Sequence, residues 1–170
     1  TFYKSNNFNN GYSFNPGVPG PPLLIWYTTI NLKSTNSMFR DCKNFNQSLP
    51  CDVSNITQPA ASLWKLTGVT DMVSMFEGCN SFNGNVNRWF TQAAGSYENV
   101  FKNCFKFNNS DNKTSMSWVT SGGGSPPDYN RLTSTKNMFN GCREFNQNMK
   151  FNTTIPGLNC NSCSAIYYFN

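Results

Sequence analysis

The chain has 170 residues, a net charge of +5, 12% charged residues and no histidine. That length accommodates one domain with a sizeable core. Scattered Lys and Arg lack the clustering of a nucleic-acid footprint, and the absence of His removes the commonest general base near neutral pH.

The 28 Asn residues taken alone would suit a disordered polar tract. Fifteen Phe, seven Tyr and four Trp argue against it, because each ring removes roughly 150–250 Å² from water when buried. In chain order, the first element is Phe2, Ser5 and Phe8-Asn9. A loop rich in Pro and Gly follows over residues 15–22, then the longest apolar run, residues 23–27, which is strand-sized and too short to span a bilayer. The opening pattern then returns with Cys in the Ser place: Phe39, Cys42, Phe45-Asn46; Phe76, Cys79, Phe82-Asn83; Phe101, Cys104, Phe107-Asn108; and Phe139, Cys142, Phe145-Asn146.

Other positions keep the same frame. Met38, Met75, Val100 and Met138 precede the first Phe, while Leu32, Val69, Ala94 and Leu132 stand seven residues before it. One Trp falls in each interval: Trp26, Trp64, Trp89 and Trp118. Successive first Phe residues are 37, 37, 25 and 38 apart. The minimal unit is therefore about 25 residues, with insertions of loop character at residues 15–22, 49–62 and 122–127.

These columns resemble the short repeat of BspA-like leucine-rich-repeat surface proteins, in its mycoplasma-lipoprotein form of unknown function. The segment Val69-Thr70-Asp71-Met72-Val73-Ser74-Met75-Phe76-Glu77-Gly78-Cys79 followed by Phe82-Asn83 carries the likeness, as does Met138-Phe139 with Cys142 and Phe145-Asn146. The third full copy departs from it, with Val100 for Met and an added ring at Phe105. The resemblance implies a leucine-rich-repeat-like solenoid on a cell surface and says little about activity.

The expected fold is one solenoid domain over residues 1–170, with rungs beginning near Phe2, Phe39, Phe76, Phe101 and Phe139. Each Met-Phe-x-x-Cys segment is expected as one short helical turn. Short parallel strands are expected at residues 45–49, 82–86 and 145–149. One unit cannot bury its own rings, so neighbours must shelter one another. The Asn after the second Phe either forms a ladder between rungs or faces solvent.

Five N-x-S/T sequons, at Asn46, Asn55, Asn108, Asn112 and Asn152, together with seven Cys, fit an extracellular, oxidising setting and N-linked glycans. Asn55, Asn112 and Asn152 fall in loops or flanks; a ladder would shield Asn46 and Asn108. The aligned Cys42, Cys79, Cys104 and Cys142 read either as small buried apolar residues or as partners for cysteines outside their column. Cys51, Cys160 and Cys163 lie off the repeat and are the disulfide candidates. The total is odd, so at least one thiol is free or bonded to another chain. The Cys160-Asn161-Ser162-Cys163 pair lacks the further ligands a zinc site needs. Neither a metal nor a cofactor is expected.

The eight acids, with Asp41 and Glu77 near equivalent repeat positions, read as surface decoration rather than an active site. Two non-enzymatic readings remain. One is a surface or fibre subunit associating head to tail, since a second copy placed after Asn170 would continue the Phe spacing within its observed range. The other is an adhesion or recognition ectodomain, with Tyr12, Tyr27 and Tyr129 as loop contacts.

Overall fold

A computed structural model of the chain describes residues 2–8, 32–49, 66, 68–86, 95–111, 116–117, 134–147 and 149–150. Both Phe positions of all five copies are among them. The four Trp residues, Ala94, Leu132 and nearly all of the three insertions lie outside.

Each copy is a run of tight turns and not the helical turn its apolar spacing suggests. In the second copy, Met38 N–H donates to the Thr35 carbonyl (3.0 Å), Cys42 to Phe39 (2.9 Å) and Phe45 to Cys42 (3.0 Å). Left-handed residues interrupt any helix: Ser37 at φ 52° and Asp41 at φ 59°. Equivalent positions repeat this, with Ser74, Asn99 and Asn137 in one column and Lys4, Gly78, Asn103 and Gly141 in the other. Small polar residues and Gly tolerate that region at least cost.

The alternation has a cause in the division of backbone donors. Within the second copy, the N–H groups of residues 38, 40 and 42 close its own turns, while those of residues 35, 37, 39 and 41 donate to Asp71, Val73, Met75 and Glu77 at 2.7–3.0 Å. A continuous helix would turn every N–H inward and leave nothing to bind the next copy. The same outward bonds join the first copy to the second (Phe2 to Met38, Lys4 to Arg40), the third to the fourth (Phe76 to Val100, Gly78 to Lys102) and the fourth to the fifth (Phe101 to Met138, Asn103 to Asn140). Return bonds run the other way, from Asn44 to Asn6, Ser81 to Lys43, Lys106 to Asn80 and Glu144 to Phe105.

The segments expected as strands carry little ladder pairing. Residues 82–86 and 145–147 have none, and residues 45–49 hold a single bridge position at Ser48. The described strands are β1 (Met116–Ser117) and β2 (Met149–Lys150), paired in parallel with Met116 opposite Met149. Parallel single bridges join Ser34 to Asp71 and Ser96 to Ser134. A 3-10 turn occupies Asn109–Asp111.

The core is built of two files of phenylalanine rings. In one file, successive centroids from Phe2 through Phe39, Phe76 and Phe101 to Phe139 are 5.4–5.7 Å apart. In the other, Phe8, Phe45, Phe82, Phe107 and Phe145 follow at 5.7 Å. Within a copy the two rings stack at 3.9–4.5 Å. The shortest interval, from Phe76 to Phe101, gives the same ring spacing as the longer ones, so interval length leaves the core geometry unchanged. From Phe39 to Phe145 every ring in the files is at most 6% exposed. Burying each contributes roughly 1.5–3 kcal/mol. Met38, Met75, Val100 and Met138 are also buried, with Leu49, Leu66, Val69 and Val86 around them.

Gly78 and Gly141 occupy the left-handed column where the preceding copy leaves no room. A methyl on Gly78 would collide with the Asp41 carboxylate, and one on Gly141 with Asn103 Oδ1. Gly78→Ala is expected to destabilise by about 1–2 kcal/mol from the left-handed backbone alone, with the collision added. A urea midpoint equal to that of the unsubstituted chain would contradict this.

Candidate functional site: the ladders between copies

The polar groups of the motif converge on the contacts between copies, and the described residues present three ladders there. The first is of asparagines. Asn46 Oδ1 accepts Asn83 N–H (2.8 Å). Asn83 Oδ1 accepts the N–H groups of Asn108 (2.8 Å) and Ser110 (2.9 Å). Asn108 Oδ1 accepts Asn146 N–H (2.8 Å) and Gln147 Nε2 (3.0 Å). The side-chain carbonyl replaces the backbone carbonyl a strand would offer, so these segments keep register without strand pairing. It also decides between the two placements open from sequence at Asn46, Asn83 and Asn108, whose side chains are ladder residues; Asn146 joins through its backbone N–H and is exposed. The sequon residues Asn46 and Asn108 are thereby engaged through their amide oxygens, and Gln47, Ser48 and Asn109 beside them are buried.

The second ladder is of thiols. Cys42 Sγ donates to the Phe2 carbonyl (2.9 Å), Cys79 to Phe39 (2.9 Å), Cys104 to Phe76 (3.0 Å) and Cys142 to Phe101 (2.9 Å). All four are buried free thiols. Loss of hydration on burial pushes Cys79 and Cys104 well above the ordinary thiol range, with the neighbouring thiols adding to it. The same desolvation pushes Cys142 up to about 12, and raises Cys42 as well. A thiol held protonated is a poor nucleophile, so the column is a structural donor row.

The raised thiols make stability depend on pH. A thiol whose folded pKa is raised binds its proton more tightly in the native than in the unfolded chain, where ionisation centres on about pH 8.5. Its contribution is complete below that pH and is lost as pH climbs toward the folded values. The urea midpoint is expected to hold up to about pH 8 and decline above it. The decline should be shallower in Cys104→Ala; identical slopes in the two proteins would contradict the assignment.

A third ladder is charged. Arg40 Nε lies 3.3 Å and Lys102 Nζ 3.2 Å from opposite oxygens of Glu77, each of the three residues immediately following a first-file Phe. Tyr3, in the same column, lies under the Arg40 guanidinium at 5.8 Å. Glu77, expected to decorate the surface, is 9% exposed and clamped between cations from the copies on either side. Asp41, which shares that expectation, keeps a side chain that is 36% exposed, on a backbone in the left-handed column.

A further column, which acts within each copy, is one that sequence reading misses. Ser34, Asp71, Ser96 and Ser134 stand five residues before the first Phe and accept the N–H two residues on, at 3.0–3.2 Å. These side chains cap the start of each turn run. The signal is a column restricted to Ser and Asp, hidden because residue identity varies while acceptor chemistry does not.

Of the remaining sequence candidates, Asn55, Asn112, Asn152, Cys51, Cys160 and Cys163 lie outside the described residues, as do Tyr12, Tyr27 and Tyr129. Among the described residues, no helix is long and apolar enough to cross a membrane.

Stacked copies with an aromatic interior and polar ladders define a class of protein whose motif is spent on holding copy to copy. The chain belongs to the family described as Mycoplasma protein of unknown function, DUF285, whose family model matches residues 5–150. No curated protein and no solved structure matches the chain.

Proposed function

We propose that the chain is a leucine-rich-repeat-like solenoid of the BspA type and acts as a non-enzymatic structural subunit of an extracellular surface or fibre, lengthened by end-to-end association. The observation that carries this reading is that each described copy meets the next through one repeated contact: ring on ring in both files, and N–H groups of one copy donated to carbonyls of the next. A contact that repeats from copy to copy can repeat between chains, and the ring pair Phe2 and Phe8 supplies the same motif for it. Open contacts of this kind build filaments, and ladders of backbone and side-chain bonds would give the contact a fixed register.

The test is association and its dependence on that face. Light scattering and negative-stain microscopy at high protein concentration are expected to show elongated assemblies. Phe8→Asn should shift the population to monomers while the fold stays intact by circular dichroism. Monomers alone at high concentration, in the unsubstituted chain, would refute the assembly. A compact scattering envelope would refute the elongated stack itself.

A further inference from the structure

The two residues between the Cys and the second Phe of a copy form the corner of a turn. In the second copy the corner is Lys43-Asn44, closed by the Phe45 N–H on the Cys42 carbonyl at 3.0 Å, and the other copies close theirs the same way. Corner is also joined to corner. Ser81 N–H donates to the Lys43 carbonyl (3.1 Å), Lys106 to Asn80 (3.3 Å) and Glu144 to Phe105 (3.2 Å). Backbone bonds therefore tie the corners into one stiff edge along the described stack, and the corner side chains are exposed or partly exposed.

Three cations stand on this edge: Lys43, Lys106 and Arg143, all exposed. None of the three forms an ion pair with a described residue, whereas Arg40 and Lys102, earlier in the same turn runs, are taken up by Glu77. The Phe105 ring lies 4.4 Å from the Arg143 guanidinium and holds it in place. Glu144 is the one acid at the corners. The start of each turn run, three to six residues before the first Phe, is balanced instead, with Lys33 and Lys136 against Asp71 and Glu98. Positive charge is thus gathered on the corner edge, where it sets the local field.

The spacing selects the kind of anion. Lys43 and Lys106 are two copies apart, by ring steps of 5.4 and 5.7 Å, and Arg143 is one further step of 5.6 Å away. A nucleic-acid strand carries a phosphate about every 3.4 Å, so this edge would leave most phosphates unmatched. A sugar ring in an extended polysaccharide advances its chain by a step comparable with one copy. Between the cations the edge offers Asn44, Asn80 and Ser81, whose amides and hydroxyl suit sugar hydroxyls.

We propose that the corner edge binds a linear acidic polysaccharide. Its carboxylate or sulfate groups meet Lys43, Lys106 and Arg143, and its hydroxyls meet the polar corners between them. A single chain carries the whole edge, so the proposal is independent of end-to-end association.

The experiment is titration of the purified chain with polygalacturonate at low salt, with neutral dextran as the comparison. Polygalacturonate is expected to bind and dextran not, and added salt should weaken the binding. Combining Lys43→Gln with Lys106→Gln should weaken it several-fold. Combining Lys33→Gln with Lys136→Gln removes the same charge from the balanced segments and should change it little. All four lysines are exposed, so circular dichroism and melting should be unaltered and the comparison remains one of binding. Absence of binding to polygalacturonate would overturn the proposal, and so would equal weakening by the two pairs, which would reduce the effect to net charge. Tighter binding at the same salt to a single-stranded oligonucleotide, or to vesicles of anionic phospholipid, would overturn it by assigning the edge to another class of partner.

Discussion

Replacing Phe76 by Ala is expected to lower the unfolding free energy by about 3–5 kcal/mol, an effect large enough to unfold a marginal domain at physiological temperature. Phe76 is fully buried and stacks on Phe39 at 5.4 Å, Phe82 at 4.3 Å and Phe101 at 5.7 Å, with Phe45 at 6.1 Å. Deleting it removes the transfer energy of the ring and leaves a cavity that its neighbours cannot close, because each is fixed by backbone bonds above and below. The corresponding change at Phe2 starts from a partly exposed position, where the ring stacks on Phe8 and Phe39. Its cost should be distinctly smaller. Thermal or urea unfolding of both variants makes the comparison. Equal losses at Phe76 and Phe2 would mean that the ring files do not carry the stability assigned to them here.

How far the sequence foretells this depends on the kind of interaction. The ring files are legible because Phe is unambiguous and its recurrence survives intervals of unequal length. The turn run reads as a helical turn, because Met38, Phe39 and Cys42 fall on one helical face by count. Apolar periodicity says which side chains go inward and nothing about how N–H groups are divided between a turn and a neighbour. The clue to the turns is the left-handed pair Ser37 and Asp41, and it surfaces only when Ser37, Ser74, Asn99 and Asn137 are aligned as one column. Glu77 is misplaced by sequence for a related reason. Its burial is set by Arg40 and Lys102, which belong to other copies and adjoin it only once the copies stack. The thiol column leaves two readings open, and burial decides between them for the four described cysteines.

The asparagine ladder gives the second large effect, because one side-chain oxygen serves two backbone donors. Asn83→Ala removes the oxygen that the N–H groups of Asn108 and Ser110 share. A donor orphaned away from water costs about 1–3 kcal/mol. Asn46→Ala, which strips the backbone donor at Asn83, should destabilise by the same mechanism. Asn83→Asp keeps an oxygen in place for both donors, and a carboxylate accepts N–H bonds more strongly than an amide does. It should recover most of the stability at neutral pH and lose it again as the carboxylate is protonated in acid. The pH dependence of Asn83→Asp separates a ladder from simple packing. Asp has nearly the shape of Asn, so packing alone predicts no loss of its stability in acid, whereas a ladder that uses the carboxylate as acceptor does. Chemical denaturation at neutral and acidic pH measures all three, and an Asn83→Ala variant as stable as the unsubstituted chain, or an Asn83→Asp variant whose stability does not fall in acid, would show that the side-chain oxygens do not set the register between copies.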